Sequence, residues 1–508
     1  SLLLCFVGHT KGLYESFLMD RNQFDDLVSR NFNRIPFLRE ISADLDTPLS
    51  IYLKVASEPN TYLFESMQGG EKWGRYSLIG LSTNNRLELW GNKLRIIKNG
   101  KLHKETNSED PLNKVEEFKN SFKVPKLSNM PRFAGGLVGY FGYDVVRYVE
   151  KKLENSMPPD EMDIPDVLLL LSEELIIFDN LAGTITLVVH ADPSVDDAYD
   201  HFHSKLDGLE KKLESASIDT KLNDVKGDKI SEQSFVSSFG EEPYKNAVLK
   251  IKDYTLAGDV MQVVPSQRLS APFYDKPINL YRSLRRLNPS PYMYYMNLGD
   301  FYIVGSSPEV LARLEDEEVT VRPIAGTRKR GADAKEDAEL ENDLMKDPKE
   351  LAEHLMLIDL GRNDVGKISK AGTVEVTEKM IVERYSHVMH ITSNVVGRIK
   401  DQFSAIDIIK SVLPAGTLSG APKIRAMEII DELEPVKRNI YGGAVGYIGW
   451  NDNMDMAIAI RTAVIKQNKL HVQAGGGVVA DSDPQMEWEE TMNKARAIIR
   501  AAERLGDN

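Results

Sequence analysis

The first half of the chain alternates apolar and polar positions between short turn signals. Residues 50–105 carry this alternation, and its period of two predicts antiparallel strands. Residues 134–148 set glycines among strand-forming side chains, and residues 166–190 predict two more strands. Residues 194–216 have helical spacing instead. The N-terminal half is therefore predicted to be mainly antiparallel β-structure followed by a helix.

A polar stretch rich in Ser, Asp and Lys, residues 217–240, follows this helix and is predicted to be a linker. Beyond it, strands and helices mix without a regular βαβ period. The predicted strands are 301–313, 443–449, 455–465 and 469–479, and the predicted helices are 243–256, 336–359, 404–411, 421–432 and 485–504. This mixture favours an α+β fold with large antiparallel β-sheets over a doubly wound sheet.

These patterns divide the chain into four predicted segments. They are a leader or added segment (1–18), an N-terminal subdomain (19–216), the linker (217–240) and a C-terminal catalytic subdomain (241–508). Because residue 1 is Ser rather than Met, we expect the natural start to be Met19.

Composition and charge restrict the possible partners. The chain is 42% hydrophobic and 28% charged, which is typical of a globular protein, and it has no apolar run long enough to span a bilayer. A single cysteine, Cys5, excludes a disulfide within the chain, so we expect a reducing, cytoplasmic location. The net charge of −14 disfavours nucleic acid. An anionic substrate would need a local cluster of donors or a metal ion.

Two Glu-x-x-Glu steps on predicted helices are the first chemical feature. Glu350 and Glu353 form one step, and Glu487 and Glu490 form the other. Residues three apart share nearly the same helix face, so the two charges repel unless a cation or solvent separates them. Such carboxylates suit a hard divalent ion, most naturally Mg²⁺. The alternative is that each pair lies on a solvated helix face, as single pairs usually do.

A glycine-rich run and two isolated polar residues follow. Residues 473–480 (QAGGGVVA) free backbone N–H groups to hold a carboxylate or phosphate, but no second βα unit follows, which excludes a dinucleotide site.

Arg461 interrupts an apolar alternation, so it is either an exposed strand residue or a buried cation that needs a carboxylate partner. His390 is either structural or an acid–base group.

Eight ordered segments together resemble the chorismate-binding enzyme family. They are 323–331, 349–368, 384–397, 413–435, 441–449, 458–464, 473–479 and 487–497, and the likeness continues more weakly through the N-terminal half. The resemblance implies that the large antiparallel sheets form a two-layer core surrounded by helices. It also implies a chorismate-using enzyme.

Two positions distinguish branches of this family. Aminodeoxychorismate synthases typically carry a lysine where this chain has Ala325, and an alanine cannot attack the ring covalently. The branches that use water carry a lysine where this chain has Gln262, and a neutral amide is a poor base. The resemblance therefore implies Mg²⁺-dependent conversion of chorismate and ammonia to anthranilate and pyruvate, the first committed step of tryptophan biosynthesis.

The resemblance further implies individual roles. Glu353 and Glu490 would bind Mg²⁺, with Glu350 and Glu487 close by, bound either directly or through water. The other implied residues are Arg461, Tyr441, Gly475, Gly476 and Gly477 for a carboxylate and the enolpyruvyl arm, Lys494 for added positive charge, Gly326 and Thr327 for the ring pocket, His390 supported by Thr417 as the catalytic histidine, Glu309 as the acid, and Gln262 in place of a water-activating base.

The source of ammonia is a separate question. A glutaminase needs a nucleophilic cysteine with a histidine partner, and the sole Cys5 lies in the predicted leader without the Gly-x-Cys-x-Gly elbow. We therefore expect a separate glutamine amidotransferase subunit as partner, with free ammonium salts as an alternative substrate.

Two short motifs resemble the family's tryptophan-inhibition site. These are LFES (63–66) and NPSPYM (288–293), and the first departs from the usual pattern at Phe64. The implied roles are Glu65 for an amino group, Ser66 for a hydrogen bond, Pro291, Tyr292 and Met293 for an indole, and Val445 and Tyr447 for a link to the active-site sheet. Tyr292 and Met293 are equally compatible with an ordinary core.

Two alternatives stay open. The nearest is aminodeoxychorismate synthase component I, which keeps the pyruvate moiety on its product. A protein of another class, a non-catalytic tryptophan sensor, would keep the fold without binding Mg²⁺.

Overall fold

The computed structural model describes residues 19–67, 74–127, 130–218, 230–385 and 388–506. The predicted leader (1–18) and the centre of the predicted linker (219–229) lie outside the described residues. In the part of the chain that is described, no helix has both the length and the apolar character needed to cross a membrane.

The β-strands, numbered in chain order, are β1 Ile35–Ser42, β2 Thr61–Glu65, β3 Tyr76–Gly80, β4 Arg86–Trp90, β5 Lys93–Lys98, β6 Lys101–Asn107, β7 Gly136–Phe141, β8 Val167–Ser172, β9 Glu174–Asp179, β10 Thr184–Ala191, β11 Val236–Ser237, β12 Gln262–Val263, β13 Ser266–Pro272, β14 Tyr292–Asn297, β15 Phe301–Ser307, β16 Val310–Glu315, β17 Glu318–Val321, β18 Ile324–Lys329, β19 Glu375–Arg384, β20 Val388–Arg398, β21 Gly420–Ala421, β22 Ala444–Gly449, β23 Met454–Ile458, β24 Thr462–Lys466 and β25 Lys469–Gly475. The α-helices are α1 Arg21–Ser29, α2 Pro48–Val55, α3 Pro111–Asn120, α4 Ala198–Ser215, α5 Glu241–Leu256, α6 Pro277–Leu287, α7 Ala334–Lys346, α8 Pro348–Ile368, α9 Ala405–Val412, α10 Gly416–Ser419, α11 Lys423–Leu433 and α12 Pro484–Glu503.

Two large antiparallel sheets dominate the fold. The first sheet has the order β1-β10-β9-β3-β2-β14-β15-β24-β25-β13-β11. The second sheet has the order β18-β20-β17-β16-β23-β22-β7-β8-β4-β5-β6, with β19 also paired to β20. The prediction of an α+β fold with large antiparallel sheets is confirmed.

Both sheets contain strands from before and after the predicted linker. Strand β2 pairs with β14 in the first sheet, and β7 pairs with β22 in the second. The two halves of the chain therefore share continuous hydrogen-bonded sheets, and the division into two subdomains at residues 217–240 stays a prediction.

The sheets face each other across a shared apolar cluster. Ile303 of the first sheet and Val138, Tyr140 and Val445 of the second belong to this cluster. Because side chains alternate along a strand, the neighbouring Val304 points the other way, into the core beneath the helices. The result is two sheet layers with helices on their outer faces.

Two predicted elements differ locally from the structure. The predicted β-region starting at residue 50 begins with helix α2, where Thr47 caps the N-terminus and Pro48 occupies the first turn. The single helix predicted over 336–359 is two helices, because Asp347 caps a new N-terminus immediately before Pro348. In both cases a cap followed by proline signals the helix start.

The predicted strands 301–313 and 455–465 are each two strands in different sheets. The first is interrupted at Pro308, where the chain passes from β15 in the first sheet to β16 in the second. The second is interrupted at residues 459–461, where the chain returns from β23 to β24. Pro308 and Arg461 interrupt the two apolar patterns, but neither interruption indicates that the chain changes sheet.

Candidate active site

The two sheet crossings bring Glu309 and Arg461 into one region. The N–H of Ile458 donates to the Glu309 carbonyl (3.0 Å), and the N–H of Ser306 donates to the Arg461 carbonyl (3.1 Å). Arg461 itself has a left-handed backbone (φ +48°), which is uncommon for a non-glycine residue. Backbone irregularity of this kind is often found at functional sites.

Glu309 is a buried acid. Burial raises the pKa of its carboxyl to about 8, although the Thr417 hydroxyl, the Ile324 N–H and the charge of Arg461 act in the opposite direction. The Thr417 hydroxyl lies 3.4 Å from Glu309 Oε1. The carboxyl is consequently mostly protonated at neutral pH and can give a proton to a leaving group.

Arg461 is a largely buried cation near this acid. Burial lowers the pKa of its guanidinium, and electrostatic interaction with Glu309 and Tyr385 opposes this shift. Among the described residues, the guanidinium forms no ion pair. A buried guanidinium beside a protonated acid favours an anionic ligand, and a carboxylate can bind it through two parallel hydrogen bonds.

His390 is held by a bulge in the neighbouring strand. The register of β18 on β20 shifts between Ala325 and Thr327, so Gly326 is the extra residue, with a left-handed φ of +66°. His390 Nδ1 lies 2.9 Å from the Gly326 carbonyl and 3.1 Å from the Thr327 hydroxyl. A carbonyl only accepts, so Nδ1 carries the hydrogen and Nε2 keeps its lone pair.

The environment keeps His390 neutral. Burial lowers the pKa of its imidazole, and the charge of Arg461 lowers it further. Thr417, which was predicted to support this histidine, instead donates to Glu309. This corrects the prediction that Thr417 supports the histidine. The β-bulge at Gly326 orients the imidazole instead, because it turns the Gly326 carbonyl toward His390 Nδ1.

The two Glu-x-x-Glu steps lie on helices as predicted. Helix α8 carries Glu350 and Glu353, and helix α12 carries Glu487 and Glu490. Burial raises the pKa values of Glu350 and Glu487, and in each pair the neighbouring carboxylate adds to this shift. One oxygen of Glu487, Oε2, is buried and has no hydrogen-bond partner within the described residues.

The glycine run lies between the two helices. A Cβ on Gly476 would stand 3.1 Å from Glu487 Oε2 and 3.5 Å from Glu490 Oε1. A Cβ on Gly477 would stand 2.5 Å from Gln262 Nε2, and this same nitrogen donates to Glu353 Oε1 (3.3 Å). The side chain of Gln262 thus connects the α8 carboxylates with the glycine run beside the α12 carboxylates.

Cations partly balance these carboxylates. Lys494 Nζ lies 2.7 Å from Glu490 Oε1 and donates to the Gly475 carbonyl (2.8 Å). Arg328, which the sequence analysis did not single out, donates to Glu350 Oε1 (3.1 Å). Among the residues the structure describes, no three His, Cys, Asp or Glu side chains are close enough to enclose a metal ion as they stand.

The residues nevertheless fit a Mg²⁺ site in their chemistry. They offer oxygen donors in two pairs, one half-buried (Glu350 and Glu353) and one with Glu487 buried and Glu490 exposed. Glu487 Oε2 is a buried acceptor without a partner in the described region. Mg²⁺ keeps several waters and uses one or two protein carboxylates together with a substrate anion, so a closed cage of protein ligands is not required.

Tyr441 closes the opposite side of the glycine run. A Cβ on Gly475 would stand 2.9 Å from the Tyr441 hydroxyl, and the Gly475 N–H donates a hydrogen bond toward it. Burial raises the pKa of Tyr441, so the hydroxyl stays protonated and is able to donate. The Gly476 N–H already donates to the Pro265 carbonyl (3.3 Å), so the donor that this wall offers to a carboxylate is the Tyr441 hydroxyl.

Away from this site, a cavity lies between the two sheets, at residues of the predicted inhibitor motifs. Its volume is about 740 Å³. It is lined by all seven predicted inhibitor residues, Glu65, Ser66, Pro291, Tyr292, Met293, Val445 and Tyr447. Aromatic rings of Phe64 and Phe133 add to its wall, and the Phe133 ring lies 4.2 Å from that of Tyr447.

The polar groups of this cavity are strongly held. Both oxygens of Glu65 accept hydrogen bonds from Arg285 (2.9 Å each), and Tyr281 also donates to this carboxylate. An amino group would therefore have to share Glu65 with Arg285. On the second sheet, Asp455 accepts from the Tyr292 hydroxyl (2.8 Å) and pairs with Arg313.

Arg313 and Asp455 were missed in the sequence. Each is a charged residue that interrupts an apolar strand, in LARLE and MDMAI respectively. The same signal drew attention to Arg461. It was therefore present in the sequence, but ordinary exposed strand residues produce it too.

A site with a buried acid, a largely buried arginine and carboxylate pairs around a glycine run is suited to a polyanionic substrate and a divalent cation. The family model described as chorismate binding enzyme matches residues 61–500, and the chain belongs to this family of enzymes. The resemblance expected from the sequence is confirmed.

Relatives and solved structures support this membership. The chain is 59% identical to anthranilate synthase component 1 of Pseudomonas aeruginosa, covering 95% of this chain and 98% of the relative. It is 35% identical to the crystal structure of anthranilate synthase component I from Streptococcus pneumoniae, with a TM-score of 0.75 over 91% of this chain and 99% of that one. The menaquinone-specific isochorismate synthase of Escherichia coli shares the fold (TM-score 0.67, 18% identity, coverage 94% and 98%).

Proposed function

We propose that the chain converts chorismate and ammonia to anthranilate and pyruvate in a Mg²⁺-dependent reaction. The observation that carries this proposal is the buried, mostly protonated Glu309 beside Arg461, a proton donor next to a receptor for a carboxylate. The 59% identity to a relative named anthranilate synthase component 1 supports the same reaction.

The first step would replace the ring hydroxyl by an amino group. Ammonia forms a C–N bond on the ring while the C–O bond of the ring hydroxyl breaks, and the Glu309 proton lets the hydroxyl leave as water. The resulting ammonium group then loses one proton, which restores the Glu309 carboxyl. Gly326 and Thr327 would border the ring where ammonia enters.

The second step would release pyruvate and make the ring aromatic. The neutral His390 Nε2 takes the proton from the ring carbon that carries nitrogen, and the C–O bond of the enolpyruvyl arm breaks. The protonated His390 returns this proton to the enolpyruvate, which becomes pyruvate, and the neutral imidazole is restored. Arg461 and Tyr441 would hold the arm's carboxylate throughout, and the glycine run (475–477) would allow its close approach.

Glu353 and Glu490 would bind Mg²⁺ with Glu350 and Glu487 nearby, and Lys494 would limit the local negative charge. When bound, the ion supplies the positive charge that allows an acidic protein to hold the ring carboxylate.

Two positions separate this proposal from other branches of the family: Ala325 from aminodeoxychorismate synthase, and Gln262 from the branches that use water. Ala325 provides no amine for covalent attack on the ring, and Gln262 donates to Glu353 through an amide that is too weak a base to activate water. Ammonia needs less activation than water, so it is the favoured nucleophile.

We further propose that a separate glutamine amidotransferase subunit supplies the ammonia. The relatives carry the designation component 1, and the only cysteine of this sequence is Cys5. A thiol-dependent glutaminase within this chain would need a cysteine in an elbow that the sequence does not contain.

Tryptophan is the proposed feedback inhibitor, bound in the 740 Å³ cavity. The aromatic wall of Phe133, Tyr292 and Tyr447 suits an indole, and Ser66 and Glu65 suit the amino-acid end. Strands β22 and β23 line this cavity, and β23 ends at the crossing that carries Arg461, which supports a mechanical link between the two sites.

The test is the fluorescence of anthranilate formed from chorismate, ammonium chloride and MgCl₂ by the purified chain. We expect turnover with ammonium but not with glutamine. An aminated chorismate that retains its pyruvate moiety, in place of anthranilate, would identify the alternative synthase and refute the proposal.

A further inference from the structure

A buried ion pair lies directly behind the Tyr441 wall of the site. Glu434 follows helix α11, and Arg438 comes four residues later; each side chain is only 2% exposed. Arg438 Nε donates to Glu434 Oε2 (2.9 Å), and Nη2 donates to Oε1, so the contact is bidentate.

The pair also holds two separate segments of backbone, one at Leu418 and one at residues 264–266. Arg438 donates to the carbonyls of Leu418 and Val264, both at 2.7 Å. Glu434 Oε1 accepts from the N–H of Ser266 (2.7 Å) and from its hydroxyl (2.8 Å). The pair therefore holds two carbonyls, one backbone N–H and the Ser266 hydroxyl in addition to its own internal contact.

Each of these segments carries a side chain of the candidate active site. Leu418 follows Thr417, which donates to Glu309. Val264 lies two residues after Gln262, the partner of Glu353.

Ser266 and Arg438 also contact the wall formed by Gly475 and Tyr441. The Ser266 Cβ is 3.1 Å from the place a Cβ on Gly475 would occupy. The Arg438 guanidinium lies over the rings of Tyr143 (4.6 Å) and Tyr441 (5.6 Å). Arg438 thus contacts Tyr441 from behind, while the hydroxyl of Tyr441 lies beside Gly475.

Burying two charges costs desolvation energy, and apolar residues of similar volume often stabilise a fold equally well. A pair with this cost is best explained by the alignment that it imposes. We propose that Glu434 and Arg438 are positioning residues that align Tyr441, Gly475 and the Gln262 segment for chorismate binding, an inference that rests on the proposed substrate site. Neither side chain needs to touch the substrate.

The test measures chorismate affinity by calorimetry, with MgCl₂ and without ammonium, so that no anthranilate forms. Because breaking one partner leaves a buried charge, the main variant is the neutral pair Glu434→Gln with Arg438→Gln, and Arg438→Lys is the conservative single change. We expect the neutral pair to weaken chorismate binding at least tenfold, with a similar rise in the KM for chorismate and a smaller change in kcat.

A matched control is available in the same region. Arg147 and Asp431 form a second buried bidentate pair (2.7 and 2.8 Å), with side chains 8% and 3% exposed. Asp431 belongs to helix α11, which precedes Glu434. The neutral pair Arg147→Gln with Asp431→Asn should lower the melting temperature comparably and leave chorismate affinity within twofold of the parent.

Chorismate affinity within threefold of the parent in a folded Glu434→Gln, Arg438→Gln protein would overturn the inference, as would an equal loss in the control pair. If the main variant does not fold, Arg438→Lys decides by the same thresholds. A parent that binds chorismate but forms no anthranilate refutes the proposed function and leaves this inference intact.

Discussion

Replacing Glu309 by glutamine removes the proposed acid while keeping the shape of its side chain. With a pKa of about 8, the native carboxyl is about nine-tenths protonated at pH 7 and about one-tenth at pH 9. The parent rate should therefore be flat near pH 7 and fall about tenfold per pH unit well above pH 8. Glu309→Gln should be slower by about a hundredfold to ten-thousandfold, and its rate should not show this alkaline fall.

The same substitution makes a prediction for stability. Burial raises the pKa of Glu309 in the folded state above its ordinary value of 4.5, so the folded state is stabilised when the carboxyl is protonated. This stabilisation is lost as the pH rises from about 4.5 through about 8. The full difference corresponds to about 5 kcal/mol, which Glu309→Gln does not lose because an amide does not titrate in this range.

The assays are anthranilate fluorescence with saturating ammonia at each pH, and thermal unfolding across the same pH range. Ammonia concentration is held constant as the free base, so that its own titration does not contribute. A parent profile without an alkaline limb near pH 8, or a Glu309→Gln enzyme with the parent's rate, would refute the assignment of Glu309 as a buried acid.

Three further substitutions probe other parts of the account. Glu490→Gln should raise the Mg²⁺ concentration for half-maximal rate about tenfold or more, or about 1.4 kcal/mol; an unchanged requirement excludes it as a ligand. Gly477→Ala should weaken chorismate binding by displacing Gln262, whereas Gly366→Ala, whose Cβ meets no described atom within 4 Å, should not; equal effects would refute this. Ser66→Phe should fill part of the 740 Å³ cavity and raise the inhibitory tryptophan concentration at least about tenfold; unchanged inhibition would remove Ser66 from the site.

Much of the fold was predictable because its strands alternate cleanly and its helices carry caps. Helix α12, predicted at 485–504, spans Pro484–Glu503, and helix α5, predicted at 243–256, spans Glu241–Leu256. Residues three apart on a helix lie on nearly the same face. The pairing of carboxylates on α8 and on α12 was therefore predictable from their spacing alone.

The change of sheet was not predictable from the same pattern. Pro308 and Arg461 break the apolar pattern of these two segments, but such a break is equally compatible with a bulge or an edge strand within one sheet. Only tertiary packing places the strands of each segment in different sheets, and this placement brings Glu309 near Arg461. The same crossing places Glu309 beside Thr417. For this reason the Thr417 hydroxyl donates to Glu309, whereas the sequence predicted that it supports His390.

The central claim is that one dianion is held between carboxylate-bound Mg²⁺ and the buried Arg461. The most direct measurement is a calorimetric titration of chorismate into the parent and into Arg461→Gln, each with and without MgCl₂ and in the absence of ammonium. The account predicts that Mg²⁺ strengthens chorismate binding to the parent at least about tenfold, and that Arg461→Gln weakens it by at least about 1.4 kcal/mol in either condition. Chorismate affinity that is indifferent to both Mg²⁺ and Arg461 would contradict it.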